Sequence, residues 1–145
     1  MSEYLNNDVQ TVPYGGPVIL NTSIGCTRGF VFHRPESGIL SLRGIVNNPC
    51  APFARYLVDF NANIAVPTGG TTGEISVSVA ISGEPIPTSM GASTPAVADV
   101  YNHVSSKAII DVPRGCCFEV SVENTSETAE PINVRNANLI VTRIA

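Results

Sequence analysis

Asp99, His103 and the serines around them are the nearest this sequence comes to a catalytic triad. A serine nucleophile of that type needs a sharp turn to present it, and no G-x-S-x-G segment accompanies these residues. His33 and His103 are the only two histidines. The four cysteines, Cys26, Cys50, Cys116 and Cys117, show no C-x-x-C spacing of the zinc type. Gly69-Gly70-Thr71-Thr72-Gly73 has the glycines of a phosphate loop but lacks its Gly-Lys-Ser/Thr end and following helix, so it is read as a hairpin tip. Aspartates and glutamates are scattered singly, without the ligand cluster that calcium requires. Asn124-Thr125-Ser126 is formally a glycosylation sequon. The expectation is a protein without catalytic residues, metal or cofactor.

The elements that carry these residues are short and β-rich. The 12 glycines and 11 prolines punctuate runs of alternating apolar residues across 145 positions, the pattern of a sandwich or barrel. Val18–Leu20, Arg28–His33 and Gly38–Val46 read as strands. Phe53–Val66 is longer; Ala54, Tyr56, Val58 and Phe60 share one face, with Arg55 and Asp59 on the other. Glu74–Ser82 places Ile75, Val77, Val79 and Ile81 on one face. Its small residues Ser76, Ser78, Ala80 and Ser82 suit either a covering layer or solvent. Ser82-Gly83-Glu84-Pro85 reads as a tight hairpin turn, and residues 88–98 as a long polar loop. Lys107–Val112 ends a further strand, Pro113-Arg114-Gly115 is a turn, and Asn124–Pro131 is a polar loop.

In Cys116–Glu123 the alternation groups Cys116 with Phe118, Val120 and Val122, predicting a buried thiol, and turns Glu119, Ser121 and Glu123 outward. Two readings of the cysteines follow: reduced buried thiols, or one disulfide joining Cys26 or Cys50 to Cys117.

The closing strand is the most telling. In Asn136–Ile144, Leu139, Ile140 and Val141 run together and Ile144 follows. A strand covered on one side alternates; this one is apolar on both faces. It is either an inner strand of a sandwich or pressed on a copy of itself. Tyr56, Val58, Phe60, Phe118, Leu139, Ile140, Val141 and Ile144 are therefore the candidates for core or subunit interface. Charged residues make up only 14%, well under the usual quarter, which also favours burial of surface in an oligomer. A net charge of −4 with no basic run argues against nucleic-acid binding, and no apolar stretch reaches transmembrane length. The opening MSEYLNNDVQ lacks the basic and apolar parts of a signal peptide, so synthesis in a cytoplasm is expected. Residues 1–16 read as an extended polar arm ahead of a domain over 17–145, and Tyr4, Leu5 and Asn6 are its candidate contacts to a larger assembly.

Taken in order, EISVSVAISGEPIPTS, AIIDVPRGCCFEVSVENTS and INVRNANLIVTRIA resemble the second half of the trimeric jelly roll shared by tumour-necrosis-factor-like cytokines and complement globular heads. The bacterial and phage branch is the most similar, with Gly83, Gly115, Asn124, Ala137, Leu139, Val141 and Arg143 at matching places and GGPVILNTS as the first strand. The resemblance implies an all-β, two-sheet antiparallel jelly-roll sandwich that forms a homotrimer. No collagen-like Gly-X-Y stalk precedes it in this sequence, so a phage virion component is expected rather than a spore-surface head. The function implied is a non-enzymatic capsid decoration protein. The receptor-binding head of a head or tail fibre, and a spore or cell-surface glycoprotein head, are the alternatives. The implied partners are further copies of the chain and the major capsid protein or another virion protein; the implied location is the capsid surface. Neither nucleic acid nor membrane is among the partners.

Overall fold

The computed structural model describes residues 2–24, 31–34, 36–44, 50 and 52–144. Among the described residues, twelve strands form two antiparallel sheets, with one 3-10 turn at Pro87–Ser89. The first sheet contains β1 (Ser2–Asn6), β2 (Gln10–Val12), β3 (Thr22–Ile24), β6 (Phe53–Ala65), β10 (Asn102–Pro113) and β12 (Ile132–Arg143). Its order is β10-β6-β12-β1-β3, and β2 also pairs with β12. The second contains β4 (Val31–His33), β5 (Leu40–Arg43), β7 (Ile75–Ile81), β8 (Glu84–Pro85), β9 (Gly91–Ser93) and β11 (Cys117–Asn124). Its order is β4-β5-β11-β7-β8, with β9 on β7. The expected all-β, two-sheet architecture is the one observed.

Period-two alternation builds the core. Tyr56, Val58 and Phe60 of β6 and Leu139 and Val141 of β12 face inward and are buried. They meet Leu40 and Leu42 of β5, Val77 and Val79 of β7, and Val120 and Val122 of β11. The Tyr56 hydroxyl donates to the Arg43 carbonyl, which satisfies its one polar atom across the sandwich.

The terminal strand sits inside the first sheet, between β6 on one side and β1 and β2 on the other. Its register shifts between Arg135 and Asn138. Asn136 takes φ +55° there, the left-handed conformation that asparagine tolerates better than most residues.

Several expectations are corrected. The opening residues are not an arm ahead of the domain: Ser2–Asn6 is a full strand of the first sheet, paired with β12 and β3. Tyr4 is buried with its ring 4.9 Å from that of His33, and Asn6 is buried too. Only Leu5, half-buried on the outer face, keeps access to a partner. The polar residues here serve the backbone. Asn6 Nδ2 and Gln10 Nε2 both donate to the Ile19 carbonyl, and Gln10 Oε1 accepts from the Ile19 N–H.

Val18–Leu20 is not a strand. Val18 and Leu20 are buried, but the segment is held by isolated bridges, Pro17 to Glu123 and Leu20 to Ser37. Residues 88–98 are not all loop, because β9 lies within them. Gly91 is needed there: a Cβ would stand 2.2 Å from the Ser105 carbonyl oxygen, so β9 and β10 approach too closely for any side chain. Ser89 and Ser106 complete this edge. Val79 N–H donates to both hydroxyls, at 3.0 and 3.2 Å, and Ser106 Oγ donates to the Ser89 carbonyl.

The turn over 82–85 is as expected, with φ +51° at Ser82 and +83° at Gly83, the primed geometry of a two-residue hairpin. The glycine-rich 67–73 segment is not a hairpin tip. It crosses from β6 in one sheet to β7 in the other, and Thr71 is held by Glu130. Ser76, Ser78 and Ala80 are buried. The chain leaving β11 folds over them, and Thr125 Oγ1 bonds both serine hydroxyls at 2.8 and 3.1 Å.

Candidate self-association surface

The first sheet presents a broad outer face whose residues can be mapped by register. One cross-strand row runs Ile109, Leu57, Thr142. The next runs Lys107, Asp59, Ile140, Glu3, Ile24. A third runs Ser105, Asn61, Asn138, Leu5, Thr22. Ile109 is 62% exposed and Ile24 54%, while Leu5, Leu57 and Ile140 are half-buried. Apolar side chains are thus spread through the middle of an open sheet face.

Two pairs of opposite charge form on this face. Arg55 Nε and Nη2 donate to Asp111 Oδ1 and Oδ2 at 2.7 and 3.0 Å, a bidentate fork. That contact holds the Asp111 carboxyl below the usual aspartate range and raises Arg55. Arg55 also lies over the Phe53 ring, 4.9 Å from its centre. Lys107 Nζ is 4.0 Å from Asp59 Oδ2, and Asn138 Nδ2 donates to Glu3 Oε1 at 2.9 Å. Asp59 Oδ1 is shut off from solvent beneath the face and has no hydrogen-bond partner.

The eight core or interface candidates divide between these environments. Tyr56, Val58, Phe60, Leu139 and Val141 belong to the core, and Phe118 packs half-buried against it. Ile140 alone joins the outer face. Ile144 is neither; it lies past the end of β12, 49% exposed, its N–H bonded to the Arg55 carbonyl. Leu5, Leu57, Asp59 and Ile109 are part of the face but were not among those candidates. Leu57 and Ile109 each interrupt a polar outward stripe, and that was the available signal.

The remaining chemistry-bearing residues are dispersed. His103 points outward from β10 opposite Asn63. Asp99 accepts from Thr68 Oγ1. His33 Nε2 is 2.8 Å from the Ser37 carbonyl oxygen. Among the described residues, no three His, Cys, Asp or Glu side chains are grouped to hold a metal, and no helix is long and apolar enough to cross a membrane.

Cys116 is exposed, not buried. It lies in the turn before β11, where its N–H bonds the Pro113 carbonyl and its own carbonyl accepts from Gly44 N–H. The alternation that would turn it inward applies only once the sheet has begun at Cys117. Cys116 and Cys117 carry free exposed thiols and Cys50 is exposed as well; Cys26 lies outside the described residues. Both Cys116 and Cys117 are therefore expected to react with a thiol reagent such as dithionitrobenzoate in the native protein. Dithiothreitol is expected to leave the melting temperature unchanged. Protection of both thiols until denaturant is added would contradict this arrangement.

Comparison with solved structures places the architecture. The globular domain of zebrafish complement 1qA protein superposes with a TM-score of 0.63 over 99% of this chain and 96% of its own, at 15% identity. The Eiger TNF of S. frugiperda gives a TM-score of 0.66 over 100% of this chain and 92% of its own, at 12% identity. The fold is the complement-head and tumour-necrosis-factor jelly roll. It covers the whole chain, and β1 and β2 lie within the matched length. No protein-family profile matches the sequence, and no curated protein does either.

Proposed function

We propose that this chain is a non-enzymatic structural module that closes into a homotrimer through the outer face of its first sheet and decorates a phage capsid. The observation that carries self-association is that face. Leu5, Leu57, Ile109 and Ile140 are spread among the Arg55–Asp111 and Lys107–Asp59 pairs. Desolvating internally paired charges costs less than desolvating isolated ones. Cyclic closure leaves no unmatched surface for fibre growth.

The virion assignment is supported by the ordered motifs that resemble the phage branch of the jelly rolls. A trimer offers three identical footprints to a capsid symmetry point, and weak contacts to the major capsid protein then add through avidity. The N-terminal residues lie in the first sheet, so Leu5 belongs to the trimer contact in this reading, and the capsid contact falls elsewhere on the molecule.

Ile140→Asp is expected to give a folded monomer, because the side chain leaves the core untouched and charges the face. Light scattering with circular dichroism checks this; a stable wild-type monomer at micromolar concentration would refute the trimer. For decoration, purified protein is mixed with capsids that lack it, then imaged and heated. Density at fixed positions on the shell with raised heat resistance is the expected result. Density only at a fibre or tail end would transfer the assignment to the receptor-binding head.

A further inference from the structure

The outer face of the second sheet carries a trough that the proposed trimer contact does not use. Phe32 of edge strand β4 is 62% exposed and Ile39 45% exposed. With Arg34, Ser37, Ser41 and Glu119 they line a depression of about 170 Å³. Ile39 and Glu119 also border a second depression of about 130 Å³, floored by Ser121 and Glu123 and walled by Pro17 and the β7–β8 turn. The two form one channel across β4, β5 and β11. Phe32, Ser41 and Glu119 lie in register across it.

Its ends differ in character. At the Phe32 end, an exposed aromatic and Ile39 stand between Arg34 and Glu119, so apolar contact dominates and the charges balance. At the far end the Glu123 carboxylate makes no ion pair among the described residues. Glu123 is 8% exposed although its position on β11 turns it away from the core; Pro17, bridged to it, and the turn at Gly83 close over it. Burial, and after it the charge of Glu84, raises its carboxyl above the usual glutamate range, against a smaller opposing effect of the Ser121 hydroxyl. A buried carboxylate beside a second one, Glu84, is relieved by an incoming cation more than an exposed one is.

We propose that this channel is a docking site for an extended peptide segment of a partner protein, with an apolar side chain seated on Phe32 and Ile39 and a lysine or arginine four residues further along, on the same face of the segment, reaching Glu123 alongside Glu119. Charge complementarity selects this occupant. A neutral apolar segment would leave the carboxylates desolvated without a partner, and an acidic one would be repelled by three glutamates. The span from Phe32 to Glu123 crosses three strands, and neighbouring strands lie about 4.8 Å apart. Glu119, in register with Phe32, is two strand spacings away and Glu123 lies four residues further along β11, so the span is about 16 Å, matched by about five residues of extended chain at about 3.3 Å each. The inference does not depend on trimer formation or on the capsid, since the channel lies on the opposite sheet.

The test is a nitrogen-15 NMR titration of the intact chain with acetyl-Leu-Ala-Ala-Ala-Arg-amide, using acetyl-Leu-Ala-Ala-Ala-Gln-amide as the uncharged control. Shifts centred on residues 32, 39, 41, 119, 121 and 123 are expected. The arginine peptide should bind about tenfold more tightly, as a charge-assisted contact to a partly buried carboxylate provides. Glu119→Gln and Glu123→Gln should each reduce that preference, and Phe32→Ala should weaken both peptides. All three side chains lie outside the core cluster, so the folded spectrum should persist and serve as the control. Equal binding of the two peptides, shifts located elsewhere, or no shift at millimolar peptide would each overturn the proposal. So would stronger binding of a free hexose at the same residues, which would make the Phe32 platform a sugar site.

Discussion

Val141→Asp is expected to leave the chain unfolded, whereas Ile140→Asp, one residue away, is expected to leave it folded. Val141 is 2% exposed and pairs with Val58 on one side and Ser2 on the other. Its side chain faces the sandwich interior, where an aspartate would find no cation. Burying an ionised carboxylate unpaired costs several kcal/mol even after relaxation, against a total stability of about 5–15 kcal/mol for a domain. Leu139→Asp, 1% exposed on the same face, should behave alike. Far-ultraviolet circular dichroism and a thermal melt of the three variants check this. If Val141→Asp melted within a few degrees of the parent, the inward assignment of that face would be wrong.

Asn124→Ala is expected to produce the second-largest loss. Asn124 is 0% exposed at the end of β11, and its amide joins four partners. Nδ2 donates to the carbonyls of Val12 and Glu130 at 3.0 and 2.9 Å. Oδ1 accepts from the Ser126 N–H and hydroxyl at 3.0 and 2.6 Å. Ser126 Oγ in turn accepts from Ser76 N–H at 3.1 Å. One side chain therefore ties β2, β7, β11 and the approach to β12.

Alanine strands two carbonyls and an N–H in the interior, each costing about 1–3 kcal/mol. Partial rehydration offsets some of that sum, so a net loss of about 3–5 kcal/mol and a fall in melting temperature of about 10–20 °C are expected. Asn124→Asp should not rescue, because it sets a carboxylate oxygen against both carbonyls. Ser126→Ala should cost less, since it leaves the Asn124 contacts to Val12 and Glu130 in place. A melt of Asn124→Ala within about 3 °C of the parent would show that water replaces the amide and that the hub is dispensable.

Long alternating strands were legible because their chemistry is local. Tyr56, Val58 and Phe60 declare an inner face, as Leu139 and Val141 do, and nothing in the tertiary structure moves them. The polar opening concealed a strand. Ser2, Tyr4 and Asn6 alternate with Glu3 and Leu5, but two of the three inward residues are polar, so the period carries little hydrophobic contrast. Asn6 is stable inside only because Ile19 and Asn21, 13 and 15 residues further on, bond its side chain. The doubly apolar reading of the last strand was right about its position and too generous about its outer face, where Ile140 is flanked by Asn138 and Thr142.

By itself the sequence determined the all-β class, the inner residues of β6, β7 and β12 and the Ser82-Gly83 hairpin. These depend on side-chain period and on backbone conformations that a few residues favour, and both are properties of short segments. Only the tertiary structure decided that residues 2–6 complete the first sheet, that Cys116 is exposed, that Ser76 and Ser78 are covered, and that Glu123 is shut in. Each depends on where a strand ends or on which distant segment lies over it. A residue at an outward position is buried when another part of the chain covers it, as Pro17 covers Glu123 and Thr125 covers Ser76. A residue at an inward position is exposed when its sheet has not yet begun, as at Cys116. Period tells which way a side chain points; only the packing of remote segments tells what it meets there.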